Sequence, residues 1–156
     1  MSKAESGALS PAEAAQETLE TAEHHLNEPS QLAFLKNVYG GLLLSMGGIA
    51  ATVASGGSPS LADSNPGIPR LLNGLIFPLG LVFIYFVGAE LYTGYPMWLV
   101  MAALSRKGTV GQHLRALVVP WLGNMAGALL AVFTFTYGTQ VVSEDPYKSK
   151  VIEELS

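Results

Sequence analysis

Nine consecutive residues hold most of the chain's usable chemistry: Gly88-Ala89-Glu90-Leu91-Tyr92-Thr93-Gly94-Tyr95-Pro96. The carboxylate of Glu90 stands beside the phenol of Tyr92 and the hydroxyl of Thr93. Hydroxyl hydrogens can replace part of an anion's water shell, and a carboxylate can hold a cation or cap backbone amides. The flanking residues are ones that end helices. Gly88 and Gly94 allow backbone angles that other residues avoid. Pro96 cannot continue a helix from before it but can open a new one. The pattern is a helix break with polar groups at the break. Two readings stand for Thr93: contact with whatever passes the break, or capping of the backbone. Two also stand for Glu90: a structural cap set off any path, or a partner for a cation.

Other chemistry finds little support. The chain has no cysteine, which removes disulfides, thiolate metal sites and cysteine nucleophiles. Its three histidines, His24, His25 and His113, are a poor basis for a metal centre, and neither a metal nor a cofactor is expected. There is no nucleophile–base pair and no phosphate loop, so no enzyme is expected. A net charge of −4 with no basic face excludes nucleic acid as a partner.

The elements that must position the break are membrane spans. The 156 residues are 49% hydrophobic and 13% charged, with mean hydropathy +0.36. An ordinary soluble domain carries about 25% charged residues. Asp, Glu, Lys and Arg are absent for 26 residues after Lys36, 19 after Arg70, 15 after Glu90 and 28 after Arg115. A span needs roughly 20 apolar residues. The first and last runs predict spans near Phe34–Ala54 and Ala116–Tyr137. Leu71–Ser105 holds one charge in 35 residues, about 52 Å as one helix, so it must break or turn. The residues predict helical pieces Leu71–Val87 and Pro96–Leu104, with Pro78 as a kink in the first. The alternative is that Leu71–Ala89 spans alone while Leu91–Leu104 lies at the membrane interface. Unwound backbone at membrane depth is tolerated only where protein buries it or where it lines a cavity.

Ser10-Pro11-Ala12-Glu13 starts an N-terminal helix that runs to about His25 and stops at Asn27-Glu28-Pro29-Ser30. It is mildly amphipathic and acidic, and it reads as a solvated cytoplasmic helix, with a gating role as the second reading. It does not read as a secretory signal, since the apolar h-region and the basic n-region are both missing. Lys36, Arg106, Lys107 and Arg115 on one side outnumber Arg70, Lys148 and Lys150 on the other, which favours a cytoplasmic N-terminus. The domain reading is a helical segment over 1–30, a three-span half-domain over 31–143, and a loop over 144–156 leading to a further segment. Gly123-x-x-x-Gly127 and Gly47-x-x-x-Ala51 have the spacing of tight helix packing. Asn124 between the glycines is either an interhelical hydrogen-bond donor or a pore residue.

Gly88-Ala89-Glu90-Leu91-Tyr92-Thr93-Gly94 resembles the broken-helix motif of the formate/nitrite transporter family. The stretches Asn73–Leu81 and Trp121–Ala128 and the S-P-A-E helix start are also similar. The resemblance covers the chain from about Ser10 onward. It implies one half of an aquaporin-like inverted repeat: an all-α fold of three spans, the second broken. It also implies a homopentamer in the lipid bilayer of the cell membrane, one pore per protomer. Each pore would pass small monovalent anions such as formate, nitrite, acetate or lactate, often with a proton. By motif position, Phe77, Leu81, Leu91 and Tyr92 would form a hydrophobic constriction and Thr93 would face the pore. For Phe77 and Tyr92 ordinary core packing is the other reading. Gly88, Glu90, Gly94 and Pro96 would shape the loop. The family's pore histidine and a lysine near its fourth span belong to a second half, and none of the three histidines fits that place. On this reading a single copy should not conduct, and a non-transporting scaffold or accessory subunit is the alternative.

Overall fold

The computed structural model describes residues 9–57, 59–138, 147, 148 and 152. Every regular element among them is helical. Helix α1 spans Pro11–Asn27, α2 Ser30–Gly56, α3 Pro59–Ser64, α4 Gly67–Val87, α5 Tyr95–Leu104 and α6 Val110–Phe133. A 3-10 turn, Tyr92–Gly94, separates α4 from α5, and α6 runs into a wider π turn, Thr134–Gly138.

The starts of α1 and α6 are fixed by reciprocal capping boxes. Ser10 accepts from the Glu13 amide while Glu13 accepts from the Ser10 amide, and Thr109 and Gln112 do the same. That exchange holds the exposed Glu13 carboxyl below its ordinary pKa, because the Ser10 amide and hydroxyl favour its charged form.

Helices α2, α4 and α6 are long and apolar enough to cross a membrane, at 27, 21 and 24 residues. Both outer spans begin earlier than the charge pattern predicts. Lys36 lies inside α2 and Arg115 inside α6, because each has partners within the fold. The short α3 lies between the first two long helices. Pro78 lies inside α4 and Pro120 inside α6. The 144–156 segment lies mostly outside the described residues.

Helix α2 packs along both α4 and α6. Glycine permits the close approach. A Cβ on Gly127 would overlap the Val38 carbonyl oxygen, and one on Gly41 that of Asn124. On the other side Gly47 meets Gly80, where a Cβ on Gly47 would lie 2.9 Å from the Gly80 Cα. Without a hydrophobic drive between helices in lipid, such backbone contact supplies the attraction.

The N-terminal helix departs from the solvated reading. Its last turns are buried: Ala22, Leu26 and His25 are nearly inaccessible, and they pack with Tyr95, Leu99 and Ala102 of α5 and Ala116 of α6. Arg115 Nη2 donates to the Leu26 carbonyl at 2.7 Å and so satisfies an end of α1 that would otherwise want water. An acidic composition gave no hint of this, since the buried face is only Ala22, His25 and Leu26.

Candidate functional site

Helix α4, the second candidate span, stops where the residues require it. Helix α4 ends at Gly88, whose φ of 66° is left-handed and costs glycine nothing. After the turn, α5 starts at Tyr95 with Pro96 in its first turn. The break is level with the body of α2: a Cβ on Gly40 would overlap the Glu90 carbonyl oxygen, and Asn37 bonds Tyr95. Further along the same α2, Gly47 meets Gly80 of α4. α4 therefore runs antiparallel to α2, and Tyr95 at the start of α5 continues that order of contacts.

Asn124 holds the break together. Its Oδ1 accepts from the Tyr92 amide at 2.7 Å. Its Nδ2 donates to the Asn37 carbonyl at 2.6 Å and the Glu90 carbonyl at 3.3 Å. The Glu90 amide donates to the Lys36 carbonyl at 3.4 Å. Unwound amides at Glu90 and Tyr92 are thus engaged by the protein and are not open to an anion. The Thr93 hydroxyl takes no hydrogen bond among the described residues, and Thr93 is exposed.

Thr93, Tyr92 and Leu91 line an open concavity of about 260 Å³ with Gly41, Ser45 and Asn124. Leu44, Trp121, Met125 and Ala128 complete its apolar wall. Phe77 and Leu81 are not among its lining residues. Both are more than a third exposed on α4, and the Phe77 ring lies close to Gly48 of α2. Gly88, Glu90, Gly94 and Pro96 also stand outside the concavity. Gly123 and Gly127 are buried against α2.

Glu90 points the other way, into a cluster of charged and polar groups. Its Oε1 receives Lys36 Nζ at 2.9 Å, and Lys36 also reaches Glu28 Oε1 at 2.5 Å. Tyr95 donates its hydroxyl to Glu90 Oε2 and accepts from Asn37 Nδ2 at 3.1 Å. His25 stacks on Trp98 with ring centroids 4.3 Å apart. Burial holds the His25 imidazole below its ordinary pKa, against the opposing pull of Glu90 and Glu28.

His25, Glu28, Lys36, Asn37 and Tyr95 were absent from the sequence-based site. One signal for them was legible: Lys36 and Asn37 are adjacent polar residues entering an apolar run, and such groups need partners inside the bundle.

A profile of formate/nitrite transporters matches residues 12–155. A probable formate transporter of Methanothermobacter thermautotrophicus is 27% identical over 140 residues, covering 90% of this chain and 51% of the relative. The formate channel FocA of Haemophilus influenzae is 29% identical over 144 residues, covering 90% and 48%. Formate-nitrite transporter 3 of Toxoplasma gondii is 31% identical over 128 residues, covering 79% and 25%. The chain therefore spans about half the length of the first two relatives and a quarter of the third. No solved structure matches it. With the match running nearly end to end and three helices fit to cross a bilayer, the chain belongs to the formate/nitrite transporter family, a family of transporters and channels, not enzymes, and is an integral membrane protein.

Proposed function

We propose that the chain supplies one half of a path for small monovalent anions of the formate, nitrite, acetate or lactate type, moved together with a proton. The observation that carries this reading is the interrupted helix beside the concavity, with the Thr93 hydroxyl on its wall. A bare anion in hydrocarbon is prohibitively costly. Leu91 and Tyr92 exclude bulk water, and the hydroxyl of Thr93 replaces part of the anion's shell. Phe77 and Leu81 extend the constriction along α4. The start of α5 adds the favourable end of a helix dipole. Glu90 does not repel the anion, because Lys36 and Tyr95 engage its carboxylate on the side away from the concavity.

On the same reading a second three-span half completes an aquaporin-like inverted repeat, and the assembly is a homopentamer with one pore per protomer. Residues 1–30 form a segment on the cytoplasmic side of the plasma membrane, with an amphipathic helix, 31–143 the three-span half, and 144–156 the link onward. The printed names of the relatives, a formate transporter and a formate channel among them, support the substrate class.

Uptake of labelled formate and nitrite by proteoliposomes tests the proposal. Thr93→Val keeps the shape and removes the hydroxyl. It is expected to lower uptake several-fold while shifting stability by no more than about 0.5 kcal/mol, as for a surface change that breaks no bond. No uptake of any of the four anions by the unmodified protein would overturn the reading.

A further inference from the structure

Beside the interruption, the last turn of α1 brings together polar groups for which the anion path has no use. His25 and Glu28 are 6% and 3% exposed. His25 Nδ1 lies 3.6 Å from Glu28 Oε2 and 3.8 Å from Glu90 Oε2, beyond hydrogen-bond length. His25 Nδ1 and Glu28 Oε2 are both buried without a hydrogen-bond partner among the described residues. Buried polar atoms are rarely left so. One donor atom from each of His25, Glu28 and Glu90 falls within 4.8 Å of the other two.

The two carboxylates share the Lys36 ammonium through Oε1 and leave Oε2 of each on the His25 side. The donors are one imidazole nitrogen and two carboxylate oxygens. That set suits a zinc-class ion better than calcium, which takes six to eight oxygens, or a soft ion, which wants sulfur. Tetrahedral zinc with bonds near 2.0–2.1 Å places its ligand atoms about 3.4 Å apart, so the two His25 separations need to close by only a few tenths of an ångström, and the two carboxylate oxygens lie within 4.8 Å of each other.

We propose that His25 Nδ1, Glu28 Oε2 and Glu90 Oε2 form a site for a divalent cation of the zinc class, which pins the end of α1 to the helix interruption. A carboxylate oxygen has two lone pairs, so Glu90 Oε2 keeps the Tyr95 hydroxyl while it binds the ion. Lys36, with 27% of its side chain exposed, is the member able to withdraw toward water as positive charge enters. Water takes the fourth position.

The test is titration of the purified, chelator-treated protein in detergent with Zn²⁺, followed by calorimetry and by Trp98 emission in a Trp121→Phe background. Trp98 is the reporter because it stacks on the His25 ring. One ion per chain is expected, with the same midpoint by both readouts. His25→Gln should weaken binding at least 30-fold and Glu28→Gln at least tenfold. His24→Ala, whose side chain is 66% exposed, should change it less than twofold. Gel filtration and helicity identify any variant that fails to fold, and the two Gln variants test the site independently. Absence of saturable binding, binding unchanged in both folded Gln variants, or a Trp98 transition driven by pH alone overturns the site.

Discussion

Two regions hold the spans in register by opposite means. Along the α2–α6 seam the contact is backbone against backbone, with Gly41, Gly123 and Gly127 giving up their side chains so that the helices touch. At the α1–α2–α5 junction the contact is side chain against side chain, through Lys36, Glu28, Glu90, Asn37 and Tyr95. The seam has nothing to desolvate, so its strength lies in fit and any added atom is a fault. The junction buries charge, so its strength lies in completeness and any removed atom is a fault. The helix interruption uses both, because the seam fixes distance while the junction engages polar groups beside the break.

The largest loss is expected from adding bulk to the seam. Gly127→Leu sets a side chain against the Val38 carbonyl and the Leu42 amide, both backbone and unable to turn aside. The cost should be about 3 kcal/mol or more, at the upper end for overpacking. Fluorescence-detected gel filtration and thermal unfolding in detergent measure it. A variant as stable as the parent would show that the seam is looser than the contacts imply.

At the junction the comparison breaks in the other direction. Lys36→Met removes the only ammonium facing Glu28 and Glu90 among the described residues. Breaking a buried ion pair on one side costs about 3–5 kcal/mol, and the partial exposure of Lys36 places this variant near about 3 kcal/mol. The double variant Lys36→Met with Glu90→Gln should recover part of that loss. A double variant no better than the single would mean that Lys36 acts through its stem and not its charge.

Asn124 belongs to both regions, since its backbone lies on the seam and its side chain closes the break. Asn124→Leu strands the Tyr92 amide and removes a donor from the Glu90 carbonyl. The expected loss is about 2–3 kcal/mol, the range for buried groups left unsatisfied. Uptake should fall with it, because the concavity is lined by the residues that Asn124 positions. Asn124→Asp restores the acceptor for Tyr92 but not the donor, so it should fall between the two.

The seam was legible in the sequence and the junction was not. Gly123-x-x-x-Gly127 is a local spacing, and Gly88, Gly94 and Pro96 locate the interruption to the residue because backbone geometry is a local property. The junction joins positions 25, 28, 36, 90 and 95, and no local pattern brings those together. In the sequence these residues stand at the ends of elements, His25 and Glu28 at a helix terminus and Lys36 at the edge of a span. A charge there does not mark water. Lys36 marks instead a place where the end of α1 and the helix interruption supply its partners. Taking charge as a mark of water also makes α1 a solvated helix, although Ala22 and Leu26 are sealed against α5.

The smallest expected effect tests whether glycine in these spans always means contact. Gly74 sits in α4 with nothing within 4 Å of where a Cβ would stand, unlike Gly80 two turns on, which meets Gly47. Glycine in a helix interior is less favourable than alanine by about 0.5–1 kcal/mol. If the face of Gly74 meets only lipid, Gly74→Ala should raise stability by about 0.5 kcal/mol and leave uptake unchanged. Gly80→Ala should do the reverse and lower it. A Gly74→Ala variant that is clearly less stable would place another helix against that face, and α4 would then carry two seams where the described residues reveal one.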